Sequence, residues 1–323
     1  MNRTFLHLVS FGAFAFTPLA PAAAMQQFFR EPDAPFLVSA DETVERVTLP
    51  EVVAAAPSLF GRLTGEKAVA PVAVSQAQAV IDATRVKSPD AVLIFETRGP
   101  IQVTDTPLRL GSRMFLQVSA GGGIIAADNC TAASLIEIKD AEAVTIFSRG
   151  PGIGVIDGRG KPVTGISVTG GARINLDRLV VQKCGTAGID YRGRDAAAVN
   201  QAASATRCHF SENADGLRAD QTAAFQCLNN VFSKNTGRAL TIASINSIVA
   251  GNQFQNNKSA IRSASDRGVI ARNRIGDEAA LELTVESRGN LVTENIGTGT
   301  AHLLVIAGST QQVFRNDLPG TAT

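Results

Sequence analysis

A short phrase returns at a nearly constant interval through the C-terminal third of the chain, and this repeat restricts the fold more than any other feature. Successive returns are 21 or 22 residues apart, and an aromatic or aliphatic residue follows each anchor within two positions. A constant period of this length indicates a solenoid, in which each coil stacks on its neighbours. The anchors are Cys208, Asn230, Asn252, Asn273, Asn295 and Asn316.

Two further apolar positions recur within each period. Stacked coils would bury them as continuous rows that no single coil could bury alone. We therefore expect both rows to point into the solenoid. The first row is Leu217, Leu240, Ile261, Leu281 and Leu303, and the second row is Cys227, Val249, Ile270, Val292 and Val313.

The length of the period decides the kind of solenoid. A coil of two helices needs about 33 residues or more, and the dense Leu spacing of a leucine-rich repeat is absent. Strand-like runs, such as residues 240–242 and 269–270, are short and are bounded by Asn, Gly and Ser. The repeat therefore predicts an all-β fold, a right-handed parallel β-helix with about 22 residues per coil.

Asn suits the anchor position for two reasons. It tolerates left-handed backbone conformations, and its amide can form hydrogen bonds at a turn. Stacked turns would place the amides of successive coils in a ladder. We therefore expect the Asn anchors to mark one corner of the solenoid.

The N-terminus has the three parts of a secretory signal peptide. Arg3 precedes an apolar run over residues 5–19, and small residues end the segment at Ala24. The apolar run is shorter than the roughly 20 residues of a membrane span. We predict cleavage after Ala24, a periplasmic or secreted protein, and no membrane span after cleavage.

Prolines interrupt residues 25–70, which we interpret as an N-terminal extension with a short helix around residues 51–60. Residues 75–86 place their apolar residues on one face of a predicted helix that ends before Pro89. This helix would cover the first coil, whose strand edges are otherwise unpaired. We therefore divide the chain into a signal peptide (1–24), the extension (25–70) and a β-helix domain (71–323).

Four cysteines follow the leader, and their spacing fits no metal motif. Cys227 occupies an inward position of the repeat and is interpreted as a small core residue. Cys208 takes the place of an anchor Asn in the neighbouring coil. A disulfide between Cys208 and Cys227 is an alternative that the spacing leaves open.

The chain resembles the pectate-lyase-like superfamily over roughly residues 75–316. The capping helix and the Asn-marked coils carry the resemblance, together with the phrase Val-Ile-Asp-Gly-Arg-Gly at residues 155–160. That phrase looks like the one that polygalacturonases carry before their catalytic coils. Residues 213–216 are similar to the Asn-Thr-Asp-Gly motif of these enzymes, in which the Asp is catalytic. The resemblance implies a secreted β-helix protein with Asp215 at the catalytic position.

The chain departs from the polygalacturonase pattern one coil later. Those hydrolases carry two adjacent Asp residues there, whereas this chain has Gly237 and Arg238. The Gly-His-Gly and Arg-Ile-Lys motifs of the family are also missing. Glycoside hydrolysis ordinarily needs two carboxyl groups. Asp215 alone does not supply both, so a lyase or an epimerase is the more consistent enzyme class.

The residues beside the inward row should face solvent, because side chains alternate along a strand. Neighbouring strands lie about 4.8 Å apart, so this strip would be about 20 Å long and suit several units of an acidic polysaccharide. A loop over residues 193–201, which exceeds the period, would leave the solenoid beside it. The outward strip is Asp190, Arg192, Arg218, Asp220, Thr241, Arg262, Glu282 and Thr284.

A polysaccharide lyase or epimerase needs a base for the sugar C5 proton and a cation for the adjacent carboxylate. The base is the weak point, because Arg is ordinarily protonated and His209 and His302 are predicted at a turn and at the surface. No metal ligand is assigned, and calcium is left open as a cofactor. We assign Asp215, Arg218, Asp220 and Arg238 as catalytic candidates, and Asp190, Arg192, Arg262 and Glu282 as substrate-binding candidates.

Other functions remain open from the sequence. The chain could bind glycans or assist polysaccharide assembly without catalysis, or it could serve as a structural or adhesive rod. The charges of the strip could also simply pair across strands and solubilise the sheet. One Tyr and no Trp leave few rings for sugar stacking, and a formal net charge of +1 gives no footprint for nucleic acid.

We expect the exported protein to begin at Met25, because Ala24 completes the small-residue cleavage site. Mass spectrometry of the periplasmic protein checks the new N-terminus. Ala24→Arg should block processing and leave the leader attached. An unprocessed wild-type chain in the cytoplasm would contradict the assignment.

Overall fold

The computed structural model describes residues 42–50, 52–53, 69–149, 152–194, 200–276, 280–284, 286–298, 302–305 and 310–318. The predicted signal peptide and most of the predicted extension lie outside these residues. Val52–Val53 forms a strand that pairs antiparallel with Val69–Ala70. The prediction of a helix around residues 51–60 is therefore wrong for residues 52–53. The other residues of that segment lie outside the described part.

The chain winds as a right-handed parallel β-helix, and strands on each face pair in parallel with the equivalent strands of adjacent coils. Face 1 consists of Leu108–Leu110, Ser134–Lys139, Thr164–Thr169, Ala187–Arg192, Asp215–Ala223, Arg238–Ile245, Ser259–Ser263, Ala280–Leu283 and His302–Val305. Face 2 consists of Val44–Thr48, Val92–Thr97, Met114–Val118, Glu142–Phe147, Ala172–Asp177, Asn200–Gln201, Ser204–Thr206, Gln226–Leu228, Ile248–Ala250, Val269–Ala271, Leu291–Thr293 and Gln312–Phe314. Face 3 consists of Val72–Ala73, Pro100–Val103, Gly123–Ala126, Gly154–Asp157, Leu179–Gln182, His209–Ser211, Val231–Ser233, Gln253–Gln255, Arg274–Ile275 and Ile296–Gly297.

The predicted capping helix is confirmed as Val74–Lys87. Ala77 and Ile81 are buried on its inner side. The side chain of Gln78 accepts a hydrogen bond from the backbone N–H of Arg109 at 2.7 Å and donates to the carbonyl of the same residue at 3.4 Å. The helix therefore covers the first strand of Face 1 and occupies its free backbone groups.

The solenoid begins earlier than the predicted boundary at residue 71. Val44–Thr48 pairs in parallel with Val92–Thr97 and forms the first strand of Face 2. Its sequence is Val-Glu-Arg-Val-Thr. So short a segment becomes part of a sheet only by pairing with a neighbouring strand. The boundary between extension and β-helix therefore falls before Val44.

The two apolar rows point into the solenoid as predicted. Leu217, Leu240, Ile261 and Leu281 align in register on successive coils of Face 1 and are fully buried. Each such side chain contributes about 1.5–3 kcal/mol by leaving water. The second row is buried from Cys227 to Val292, whereas Val313 on the last coil is 39% exposed. The side chain of Leu303 lies outside the described part.

The predicted ladder of Asn amides is confirmed at the corner between Face 2 and Face 3. The Oδ1 of Asn252 accepts from the backbone N–H and from the Nδ2 of Asn230, at 2.9 and 3.0 Å. Its own Nδ2 donates to the Cys227 carbonyl at 2.9 Å and to Asn273 Oδ1 at 3.0 Å. The same pattern continues to Asn295 and Asn316. Each amide therefore links its own coil to both neighbours.

The left-handed backbone conformation does not fall on the anchors, which corrects one reason given for Asn. Positive φ angles occur one residue earlier, at Asn229, Gly251, Arg272, Glu294 and Arg315. None of these five residues is buried, and one of them is a glycine, so the position accepts several residue types. The anchor favours Asn because its short amide supplies both a donor and an acceptor.

A second Asn ladder lies at the corner between Face 3 and Face 1, and the sequence analysis missed it. The backbone N–H of Asn213 donates to Asn235 Oδ1 at 3.0 Å, and the N–H of Asn235 donates to Asn257 Oδ1 at 3.1 Å. All three residues are buried. This ladder fixes the turn from which the strands of Face 1 start.

The loop predicted over residues 193–201 ends earlier than expected. Asn200–Gln201 is a short strand of Face 2, and Asn200 pairs with Thr222. Residues 195–199 lie outside the described part. The chain has therefore rejoined the solenoid by residue 200.

Asn252→Ala removes one side chain from the middle of the first ladder. It leaves the Cys227 carbonyl and the Asn230 amide without these partners inside the solenoid. We expect the free energy of unfolding to fall by about 3 kcal/mol, because each buried polar group without a partner costs about 1–3 kcal/mol. Urea unfolding followed by circular dichroism measures the loss.

Asn256→Gly is the matched control, because Asn256 is exposed and has a φ of 54°. Gly adopts this conformation readily, and we expect a change within about 0.5 kcal/mol. A loss for Asn252→Ala no larger than that of the control would refute the stabilising role of the ladder.

Candidate functional site

The outward strip of Face 1 is in register across successive coils. Asp190 pairs with Arg218, Arg218 with Thr241, Thr241 with Arg262, and Arg262 with Glu282. Strand alternation holds at the same place, since Tyr191 is fully buried between two outward residues. The stacking of coils therefore brings together residues that are up to about 90 positions apart in the sequence.

An open groove with a volume of about 500 Å³ runs over this strip. Thr241 lies between the long side chains of Arg218 and Arg262, and the short side chains of Ala243 and Ala264 deepen the surface beside it. A volume of this size is within the range of ligand sites. The groove is lined by Asp190, Arg192, Arg218, Ala219, Asp220, Thr241, Ile242, Ala243, Arg262, Ala264, Thr284 and Glu286.

Five of the eight predicted site residues line the groove: Asp190, Arg192, Arg218, Asp220 and Arg262. The other three, Asp215, Arg238 and Glu282, lie outside the lining. Sequence reasoning missed Glu286, which lines the groove at an exposed position. Glu286 lies in a turn after the strand Ala280–Leu283 ends, so strand alternation does not predict its direction.

Arg192 forms an ion pair with Asp190 on the same strand. Its Nη2 lies 2.6 Å from Asp190 Oδ2, and the Asp190 side chain is only 9% exposed. The hydrogen bond and charge of Asp190, and less strongly the charge of Asp220, raise the pKa of Arg192 above its usual value. The guanidinium is therefore held at one end of the groove between two carboxylates.

Asp215 lies outside the groove lining and forms an ion pair with Arg218. Its Oδ2 accepts from Arg218 Nε at 2.8 Å and lies 2.7 Å from Nη2. Its Oδ1 accepts from the backbone N–H of Arg238 at 2.8 Å. A side chain on Gly237 would collide with this same Oδ1. Asp215 is therefore committed to a turn and to an arginine, which orients Arg218 toward the groove.

Arg262 is the third arginine of the groove. Its Nε lies 3.6 Å from Glu282 Oε1 on the next coil. Every arginine in the lining thus has a carboxylate within ion-pair distance. Arg192 and Arg218 each pair within their own strand, whereas Arg262 pairs across to the adjacent strand.

A β-bulge changes the direction of the strand that carries Arg218 and Asp220. The register with the next coil shifts between Asp220 and Thr222, and Gln221 between them has a φ of 49°. Bulges of this kind turn a side chain away from the regular sheet direction and are common beside functional sites. Asp220 is exposed at this bend and forms one edge of the groove.

The groove lining contains no His, Lys, Tyr or Cys among the described residues. Tyr191 points inward and its hydroxyl donates to the Ser204 carbonyl at 3.1 Å. Burial raises the pKa of Tyr191 well above its usual value. His209 lies on a strand of Face 3, which corrects the predicted turn, and its Nε2 is 2.8 Å from Ser233 Oγ. The described groove therefore presents arginines and carboxylates as its only ionisable groups.

These features define a parallel β-helix protein with a ligand-sized groove on one face. A family model described as periplasmic copper-binding protein (NosD) matches residues 138–319. The match covers more than half of the 323-residue chain, and the chain belongs to this family. No curated protein sequence matches it.

Several solved structures share the fold at low sequence identity. DFA-IIIase from Arthrobacter chlorophenolicus A6 in complex with GF2 has a TM-score of 0.49 and 11% identity, over 78% of this chain and 90% of that chain. The mannuronan C-5 epimerase AlgE4 A-module from Azotobacter vinelandii has a TM-score of 0.42 and 12% identity, over 77% and 95%. ORF18 of Geobacillus virus E2 has a TM-score of 0.41 and 14% identity, over 71% of this chain and 54% of that chain. The chain therefore spans about half the length of ORF18. These similarities concern the fold alone.

The described residues do not fit the copper that the family description implies. Soft ligands such as Cys, Met and His would hold copper. Within the described residues, no group of three or more His, Cys, Asp or Glu side chains is placed to hold a metal ion. The Sδ of Met114 accepts from the Gly111 amide at 3.1 Å, inside the core. Over the same residues, no helix has the length and hydropathy needed to cross a bilayer.

The cysteines are structural. Cys130, Cys184, Cys208 and Cys227 are buried free thiols, so the bridge left open between Cys208 and Cys227 is absent. Burial raises the pKa of Cys184 and of Cys208 to about 12, and it raises the pKa of Cys227 as well. The thiolate is the reactive form of Cys, so Cys184, Cys208 and Cys227 are unreactive at neutral pH.

We therefore expect the native protein to resist alkylation at pH 8 and the protein in urea to react at all four cysteines. Mass spectrometry after treatment with iodoacetamide counts the modified thiols. A disulfide in the exported protein, or rapid labelling of Cys208 in the native state, would contradict this arrangement.

Proposed function

We propose that this protein binds a polysaccharide in the groove of Face 1 without cleaving it. The observation that carries the proposal is the groove itself, in which arginines and carboxylates surround short side chains on successive coils. Planar groups with several donors or acceptors suit the hydroxyl and ring oxygen atoms of sugars. Equivalent positions recur about every 4.8 Å along the solenoid, which suits a ligand that is itself a linear repeat.

The ionisable groups favour binding over lyase or epimerase chemistry. Abstraction of a sugar proton needs a base near neutral pH. The described lining contains no His, Lys, Tyr or Cys, and one oxygen of Asp190 is bound by Arg192. Asp215, predicted as catalytic, is occupied by Arg218 and by the Arg238 amide. No step is therefore assigned to it.

The description of the family and the predicted leader support a periplasmic location in this proposal. A glycan that passes through or lies in that compartment would be the partner. Calcium stays a prediction of the sequence, and binding is therefore measured with and without it. The acidic polysaccharide predicted from the arginines belongs to the same test, beside neutral glycans.

Arg218→Ala combined with Arg262→Ala should weaken glycan binding by about a hundredfold. Each arginine is expected to donate a charge-assisted hydrogen bond, and the loss of one such bond costs about a factor of ten or more. A glycan array identifies the ligand, and isothermal titration calorimetry then measures its affinity. Ultraviolet absorbance and product analysis of the same mixtures detect unsaturated or epimerised sugars.

Arg207→Ala combined with Arg272→Ala is the matched control. These arginines also pair with carboxylates, Asp177 and Glu294, but they lie at the corner between Face 2 and Face 3. We expect unchanged affinity in the control and normal circular dichroism in both double variants. Equal affinity of the groove variant and the wild type would remove the groove as the site, and any unsaturated product would overturn binding without catalysis.

A further inference from the structure

Three consecutive strands of Face 2 present apolar side chains on their outer side. The strands are Ile248–Ala250, Val269–Ala271 and Leu291–Thr293, and they pair in register. The central residue of each strand is buried, so the first and third residues point outward. Outward positions on the solvated side of a sheet are ordinarily polar. We name the six outward residues the Face 2 patch: Ile248, Ala250, Val269, Ala271, Leu291 and Thr293.

The Face 2 patch differs from the other two faces of the same coils. It is apolar at five of its six positions, and none of the six residues is buried. A contiguous apolar surface of this kind, bordered by polar residues, marks an interaction site. Face 1 is polar at the equivalent position of all three coils and Face 3 at two of them, with Thr241, Arg262 and Glu282 on Face 1 and Gln253, Arg274 and Ile296 on Face 3.

The patch consists of a row of large side chains beside a row of small ones. The first position of each strand is Ile, Val or Leu, and the third position is Ala, Ala or Thr. A two-fold axis parallel to the solenoid reverses the strand direction of a second copy and keeps the order of its coils. The large row of one copy then faces the small row of the other, so the two faces interdigitate. A two-fold axis along the strands would instead place the large rows against each other.

The charges at the borders of the patch fit the same arrangement. Arg288 precedes the strand Leu291–Thr293 and is exposed, and Glu294 directly follows that strand. The two-fold axis parallel to the solenoid brings Arg288 of each copy to the side of Glu294 of the partner subunit. Glu294 binds Arg272 through Oε2 at 2.7 Å, and 39% of its side chain is exposed. A second arginine can therefore join this carboxylate, and opposite charges that meet across an interface fix its register.

The border of the preceding coil is electrically balanced. Asp266 and Arg267 lie side by side before the strand Val269–Ala271. Their charges cancel, so this coil neither strengthens nor opposes the pairing of two copies. The contact between Arg288 and Glu294 of the partner subunit therefore decides the charge complementarity.

We infer that the Face 2 patch is the contact surface between two copies of this chain, related by a two-fold axis parallel to the solenoid. Such an interface is self-complementary, so each contact occurs twice. Three coils spaced by about 4.8 Å make an interface at the small end of the specific ones, below about 1,200 Å² in total. The dimer should therefore dissociate on dilution. This inference is independent of the proposed glycan binding.

Sedimentation velocity from micromolar to submillimolar protein concentration tests the association. We expect the average mass of the wild type to rise from that of the monomer toward that of the dimer. Val269→Glu places a charge at the centre of the patch and should weaken association by at least about a hundredfold. Gln253→Glu is the matched control, because Gln253 is an exposed outward residue of Face 3, and it should associate like the wild type. Circular dichroism checks that both variants fold.

Two charge reversals at the border test the orientation. Arg288→Glu and Glu294→Arg should each weaken association by about tenfold, because two symmetric pairs become repulsive. An equimolar mixture of the two variants should recover association, since every border pair in the mixed dimer again joins opposite charges. A two-fold axis along the strands does not form these pairs and predicts no recovery.

A wild type that stays monomeric over the whole range would overturn the inference, as would a folded Val269→Glu variant that associates like the wild type. If Val269→Glu does not fold, the charge reversals decide, and unchanged association of both would remove the patch as the interface. A mixture that fails to recover would overturn the proposed two-fold arrangement. Monomers that bind phosphatidylglycerol vesicles, with binding lost in Leu291→Glu, would assign the patch to a lipid surface instead.

Discussion

The hydrogen bonds between equivalent residues of successive coils determine everything else in this structure. Backbone pairing sets the spacing of the coils, and the buried Asn ladders fix where each coil turns. An amide that both donates and accepts can repeat without end along the axis, because each side chain satisfies the coil on either side. This regularity keeps the apolar rows in register and the outward strip in line, so a groove can extend over several coils.

The same stacking controls the electrostatics of the groove. Side chains at equivalent positions lie close enough to pair, and an arginine on one coil meets a carboxylate on its own or a neighbouring coil. A row of arginines that looks cationic in the sequence is therefore neutralised in the structure. The groove keeps many hydrogen-bonding groups, and each of its arginines has a carboxylate within ion-pair distance.

Much of the architecture was accessible from periodicity. The period, the inward rows, the capping helix and the outward strip of Face 1 follow from spacing alone, because a solenoid repeats its environment at every coil. The strand Val44–Thr48, the second Asn ladder and the strand Asn200–Gln201 were missed. The two strands lack a regular period of their own, and each acquires its role only from the coil beside it. The second ladder does keep the period, since Asn213, Asn235 and Asn257 are 22 residues apart, so its spacing could have identified it.

The candidate site divides in the same way. The repeat by itself determined that Asp190, Arg192, Arg218, Asp220 and Arg262 lie on one surface, since alternation and register require it. Only the folded chain decided what they do there, because pairing depends on distances between coils. It tied Arg218 to Asp215, placed Glu286 in the lining and left Asp190 Oδ1 without a partner among the described residues. Local pattern specifies where a side chain points, whereas tertiary contact decides which of its atoms remain available.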